Sequence, residues 1–131
     1  MRVVFDSNIF VSALVLPGRQ AEKALFRVID GDDHLLIFKP IIDEVLDVLA
    51  RKFAKEGEEL ARVAVLLAEI GELVAPRRRL HVFGDDPDNR VLECAIAGRA
   101  EAIVRGDRAM PDLGSFERVR LVSLRSYLEM K

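Results

Sequence analysis

At 131 residues with a formal charge of −2, half of them apolar and 32% charged, the chain has the balance of a globular domain large enough to bury a core without staples. No apolar run approaches the roughly 18–20 residues of a membrane span, and the first residues enter a strand pattern rather than a signal peptide, so a cytoplasmic location is expected. One cysteine, Cys94, and two histidines in unlike contexts, His34 and His81, exclude an intrachain disulfide and a cysteine- or histidine-based zinc site.

Residues 3–10 read VVFDSNIF, an apolar run climbing to Asp6, after which Ser7 and Asn8 turn the chain into the helical pattern IFVSALVL. In an open parallel sheet, ligands sit outside the carboxyl ends of the strands, and Asp6 is delivered to that crevice. Pro17-Gly18 break the first helix. A second is predicted from Gln20 to Ile29, with Ala21, Ala24, Leu25, Val28 and Ile29 inward. Gly31-Asp32-Asp33 stop it, and the continuous apolar run 35–38 suits a buried parallel strand. Pro40 fits the first turn of the next helix, whose Ile41, Val45, Val48, Leu49 and Phe53 are predicted inward.

The helix over residues 58–70 is apolar nearly all round and must be covered on more than one face, which predicts a subunit interface and a homodimer. A short strand near 73–75 or 80–83 follows. GDDPDNRVLECAIAGRA then marks a helix start, with Asp86 as cap, Pro87 in the first helical position and Asp88 in the first turn. Val91, Leu92, Ala95 and Ile96 give its buried face, and Cys94 beside them reads as a small core hydrophobe. Gly98 stops this helix. A strand at 102–104 leads into Arg105-Gly106-Asp107, and a strand at 119–123 with the helix LRSYLEM closes the chain. Strand–helix alternation without repeats or linkers predicts one α/β domain over residues 1–131, three layers α/β/α around a mostly parallel sheet of four to five strands.

Asp6 and Asp107 fall just past the carboxyl ends of apolar strands, Asp88 opens a helix, and Glu44 lies in the first or second turn of another. All four can converge on one sheet edge. Each has a plainer role to set beside this: Asp88 as a cap, Glu44 as one of several acids on a solvated face, Asp107 as a turn residue. Asp6 has none, because an acid ending an apolar strand has no structural duty. Four like charges in one pocket raise each other's pKa values, and a divalent cation removes the penalty. Oxygen-only ligands select Mg²⁺ or Mn²⁺, and a pair of such ions about 3.5–4 Å apart is the usual clamp on a phosphodiester. Asn8 could add an amide oxygen or orient a water. The net charge gives no whole-molecule attraction for nucleic acid, so a basic footprint must be local. Candidates are Arg77-Arg78-Arg79, Arg99, Arg105, Arg108, Arg118 and Arg120, and the plain alternative for each is a solvated surface arginine.

Taken in order, Asp6 with Asn8, the acidic helix PIIDEVLDVL, DNRVLECAIAG and IVRGD resemble the four motifs of the PIN domain. The likeness spans the chain and is closest to the bacterial and archaeal PIN proteins grouped with VapC-type toxins. The resemblance implies a Mg²⁺- or Mn²⁺-dependent ribonuclease, often dimeric and often held inactive by a small antitoxin. Its metal-binding and catalytic acids would be Asp6, Glu44, Asp88 and Asp107, with Asn8 as a secondary polar member and Arg105 and Arg108 as candidate RNA contacts. Three departures stand out. Pro40 replaces a frequent serine, Arg105 replaces the usual Thr or Ser before the glycine, and Ala109, Met110 and Pro111 replace a polar residue and leucine pair. The altered 105–111 segment motivates a second reading, a PIN-like RNA- or protein-binding module with weak or no nuclease activity. A third, phosphoryl transfer through an aspartyl nucleophile, would want an acid where Asn8 stands and a positioned lysine.

Overall fold

The computed structural model describes residues 1–106 and 110–130. The apolar runs become strands β1 (Arg2–Phe5), β2 (His34–Ile37), β4 (Ala102–Arg105) and β6 (Val119–Ser123), joined by β3 (Gly71–Leu73) and β5 (Ser115–Phe116). The order across the sheet is β3-β2-β1-β4-β6-β5, parallel except for the β5–β6 pair. Six strands exceed the four to five expected. The additional ones are the edges, of three and two residues, too short to show an alternation in sequence. The first of the two expected sites for a short strand is close to β3, and nothing forms a strand at 80–83.

The helices are α1 (Ser7–Val15), α2 (Gln20–Ile29), α3 (Lys39–Phe53), α4 (Gly57–Ile70), α5 (Asp86–Ala97) and α6 (Leu124–Glu129). Successive strand side chains point to opposite faces, yet Val3, Val4 and Phe5, and likewise Ala102, Ile103 and Val104, are all fully buried. Both faces of the sheet are therefore covered, as parallel sheets require, and the three-layer architecture follows. On one face the Phe5 ring meets Phe10 of α1 and Tyr127 of α6, with centroids 5.6 and 5.7 Å away. On the other, Val4 is in register with Leu36 and Ile103, and Gly98 at the end of α5 comes so close that a Cβ there would lie 2.7 Å from Leu36 Cδ1. Cys94 is fully buried in this core, as expected, and burial pushes its thiol up, out of reach of reaction.

Strands β2 and β3 lie on one side of β1, and β4 and β6 on the other. Strand order thus reverses at β1, which makes the gap between the carboxyl ends of β1 and β4 the topological switch point.

Two inward predictions are corrected. Phe53 is 41% exposed and Ile29 46%. Both end their helices, beyond the last turn that another element covers, so the apolar pattern outruns the packed face. Helix α4 buries only Leu67 fully and leaves Val65 57% exposed. It leans on α3 across a cavity of about 260 Å³ lined by Leu14, Leu49, Leu60, Val63 and Leu66. No described helix is long and apolar enough to cross a membrane.

Candidate active site

Asp6 is the residue between β1 and α1 and serves both. Its backbone N–H donates to Val104 O at 3.0 Å, extending the β1–β4 ladder by one bond. Contrary to the expectation that it has no structural duty, its side chain caps α1, accepting from Asn8 N at 3.4 Å, and takes a second bond from Gly106 N at 3.2 Å, just past β4. Ser7 Oγ donates to it at 3.5 Å. Gly106 is needed for this approach: a Cβ there would sit 3.0 Å from Asn8 Cβ and 3.5 Å from Asp6 Oδ2. The strand end, the helix start and the following glycine therefore fix one buried carboxylate at the switch point.

Asp88 comes to the same place on α5. The helix begins at Asp86, with Asp85, not Asp86, in the capping position, and Asp85 makes no side-chain cap bond. Asp85 is the site residue that sequence reasoning missed. Its charge acts on both Asp6 and Asp88, and the only sequence signal for it was the doubled aspartate before Pro87. The entry loop is instead held by Asn89, which is buried. Asn89 Oδ1 accepts from Val82 N and Phe83 N at 3.0 and 2.8 Å, while its Nδ2 donates to Phe83 O at 2.9 Å. One turn on, Glu93 accepts from Leu80 N at 2.8 Å and from Arg90 at 2.7 Å. These bonds fix the chain entering α5, and with it the position of Asp88.

Asp88 is buried, and its Oδ2 has no hydrogen-bond partner among the described residues. An oxygen in that condition carries the desolvation cost with nothing to offset it. Burial first, then the charges of Asp6, Asp85 and Glu44, push its carboxyl up to about 7. Burial raises Asp6 as well, against the lowering effect of its bonds from Asn8, Gly106 and Ser7. Glu44 is half-buried on α3 and lines a cavity of about 170 Å³ with Ser7, Pro40, Asp86, Pro87 and Arg90. Its charge reaches Asp88 more weakly than those of Asp6 and Asp85.

Of the residues expected at the site, Asp6, Asn8, Asp88 and, at its margin, Glu44 meet at this edge. Asp107 and Arg108 lie outside the described residues. Arg105 turns away from the carboxylates: it donates to Met110 O and Asp112 Oδ2, both at 3.4 Å. Among the described residues no three acid, histidine or cysteine side chains come together closely enough to hold an ion. What fits a cation is the pair. Asp6 and Asp88 are buried acids that repel one another, one with an orphaned oxygen, and the donors are oxygens only, which suits a hard divalent ion.

A family model described as a PIN domain matches residues 2–109. The chain is 24% identical over 117 residues to the uncharacterized protein MJ1680 of Methanocaldococcus jannaschii, across 86% of this chain and 75% of that one. Its fold is similar to that in the structure of VapBC2 from Rickettsia felis bound to a DNA fragment from their promoter (TM-score 0.64, 13% identity, 94% of this chain and 98% of that one). It is similar also to that of VapBC-1 from nontypeable Haemophilus influenzae (TM-score 0.59, 13% identity, 95% and 99%). At such identities the structural likeness speaks for the fold.

A pH prediction follows from the carboxyl pair. Asp88 holds its proton more tightly folded than unfolded, so its contribution to stability is complete below the ordinary value of 3.8 and is lost as pH rises through about 7. In metal-free buffer the melting temperature of the wild type should therefore fall between about pH 4 and pH 7 and level off above. Asp88→Asn should flatten that fall and melt roughly 3–6 °C higher at the upper pH, the equivalent of about 1 kcal/mol for a domain of this size. Parallel melting curves for the two proteins would contradict the burial of a carboxylate at this position.

Proposed function

Because the chain belongs to the PIN domain family, we propose that residues 1–131 act as one domain, a metal-dependent endoribonuclease that hydrolyses RNA phosphodiester bonds as the toxin of a toxin–antitoxin pair. The observation that carries the reading is the buried, unpartnered Oδ2 of Asp88, under the charge of Asp6 at the switch point of the sheet. Asp6 and Asp88 would hold Mg²⁺ or Mn²⁺, joined by Glu44 and Asp107. Such an ion, when bound, offsets negative charge on a phosphodiester's oxygens and makes water a stronger nucleophile at neutral pH.

The protein's own residues have separate tasks. The N–H groups of Asn8 and Gly106 hold the Asp6 carboxylate in one orientation, so little reorganisation is needed when charge develops beside it. Asp88 gives up its proton near neutral pH as a cation enters, because both cannot stay. Asn8, half-buried beside Gly106, is in position to orient a water or a phosphate oxygen. The VapBC likeness supports an antitoxin as the protein partner, and a cytoplasmic location is part of the same reading. The 57% exposure of Val65 on α4 supports a homodimer across that face.

A binding module that does not cut is the second reading, favoured by the lack of a third converging acid among the described residues. Incubation of structured RNAs with the protein and Mn²⁺ separates the two. The wild type should cleave, and Asp6→Asn should lose about 10²-fold or more, the scale of removing one preorganised electrostatic group. Cleavage untouched by Asp6→Asn would overturn the site assignment, and binding by the wild type without cleavage would favour the module. For the dimer, Val65→Asp should convert a two-chain species to one chain in sedimentation velocity. A wild type that sediments as a monomer at high concentration would refute it.

A further inference from the structure

The basic triplet Arg77-Arg78-Arg79 and the scattered arginines beyond it have no part in the site described above, yet the fold gathers several of them. The chain entering α5 runs back along that helix from Asp85 at its start, through Leu80, whose N–H is bonded to Glu93, to the triplet. There Arg78 forms a two-oxygen ion pair with Glu117, at 2.8 and 3.1 Å, in the turn between β5 and β6. That contact sets the triplet beside a groove of about 830 Å³ lined by Ile96, Arg99, Glu101, Glu117, Arg118 and Arg120. Arg77, Arg79, Arg99, Arg118 and Arg120 are exposed, and none has an ion-pair partner among the described residues. On a protein of net charge −2, the groove presents Arg99, Arg118 and Arg120 against the carboxylates of Glu101 and Glu117, Arg78 reaches it through Glu117, and Asp32 and Asp33 line the next cavity along Arg120.

The backbone of the groove is also unusual. Only three described non-glycine residues have positive φ: Ala54 at 52°, Arg99 at 56° and Glu117 at 53°. Two of the three line this groove. A two-residue hairpin turn normally places glycine, asparagine or aspartate at its positive-φ position, and here the turn is Glu117-Arg118, with the glutamate bonded to Arg78. Arg99 takes its positive φ at the end of α5, where Ala100 N closes back on Ala95 O at 2.9 Å as helix ends commonly do; Glu117 alone stands in a turn that glycine would fit more easily.

The geometry points to a second binding surface: we propose that the Arg99–Arg118–Arg120 groove, with the 77–79 triplet on its rim, docks the phosphate backbone of the RNA strand whose scissile bond lies at Asp6 and Asp88. This rests on the ribonuclease reading above. Planar guanidinium forks match phosphate oxygens, and a cleft lined by one sign of charge raises the local concentration of a polyanion. The 12 residues of α5 span about 18 Å, so the groove at its C-terminal end stands that far from Asp88 at its start. An RNA of only a few nucleotides cannot occupy both places, whereas a longer one can.

The test is fluorescence anisotropy with a labelled 20-nucleotide uridine RNA in EDTA. Three proteins are compared: the wild type, a groove triple variant (Arg99→Gln, Arg118→Gln, Arg120→Gln), and a control (Arg51→Gln, Arg62→Gln, Arg125→Gln) that loses the same charge elsewhere. The groove variant should bind about tenfold or more weakly, and its salt dependence, log K against log salt, should be shallower by about 2, three phosphate contacts at roughly 0.7 each. The control should stay close to the wild type, and Arg→Lys changes at the three groove positions should keep most of the affinity, which a merely unfolded variant would not. With Mn²⁺, cleavage of a four-nucleotide RNA should be equal in the wild type and the groove variant. Equal weakening in groove variant and control, or preference of the groove for a polyglutamate peptide over RNA, overturns the proposal and leaves the nuclease reading standing. A wild type that neither binds nor cleaves RNA overturns both.

Discussion

A single hydrogen bond, from Gly106 N to Asp6 Oδ2, joins the carboxyl ends of the two central strands at the point where strand order reverses. It exists because Val104 already accepts from Asp6 N and because glycine leaves room for Asn8 against the backbone. The same carboxylate starts α1. Strand, helix and loop therefore agree on one position for one acid, and every other feature of the site is arranged relative to it.

The second acid is held against resistance. Asp88 faces the charges of Asp6, Asp85 and Glu44 with an unpartnered oxygen, an arrangement that costs stability whenever all are ionised. The fold offsets this by fixing the approach to α5 with Asn89 and Glu93, which between them satisfy three backbone N–H groups, those of Leu80, Val82 and Phe83. A buried polar network whose carboxylate and amide oxygens are bonded, beside a carboxylate whose oxygen is not, divides scaffold from site. Arg90 belongs to the scaffold, since its guanidinium donates to Glu93 at 2.7 Å, and none of the described residues forms an ion pair with Asp6 or Asp88. Arg105 turns to Asp112.

Much of this was legible in the residues. Strands β1, β2 and β4 stand out as apolar runs, because a strand buried on both faces has no polar side to break the pattern, whereas β6 alternates, with Arg120 exposed between Val119 and Leu121. Asp6 and Asp88 were legible for a related reason: a carboxylate at the end of such a run, or in a helix start, is placed by local geometry alone. Contacts made through the folded chain were not. Asn89 reads as an ordinary polar helix residue until Val82 and Phe83 are brought to it. Tyr127 and Asp33 lie 94 positions apart, yet form a buried bond beside Arg27. Ile29 and Phe53 continue a helical stripe past the point where anything covers it. The shared character of Arg78, Arg99 and Arg118 appears only when the β5–β6 turn is seen against the end of α5.

The central claim is that the Asp6 and Asp88 carboxylates meet at one divalent cation, and calorimetric titration of Mn²⁺ at mildly alkaline pH addresses it most directly. The wild type and Glu129→Gln, a variant that removes an exposed acid on α6, should bind alike. Asp6→Asn and Asp88→Asn should each bind at least tenfold more weakly, the range seen when a ligand or its immediate support is removed. Equal Mn²⁺ affinity in all four proteins, or none in the wild type, would contradict the claim.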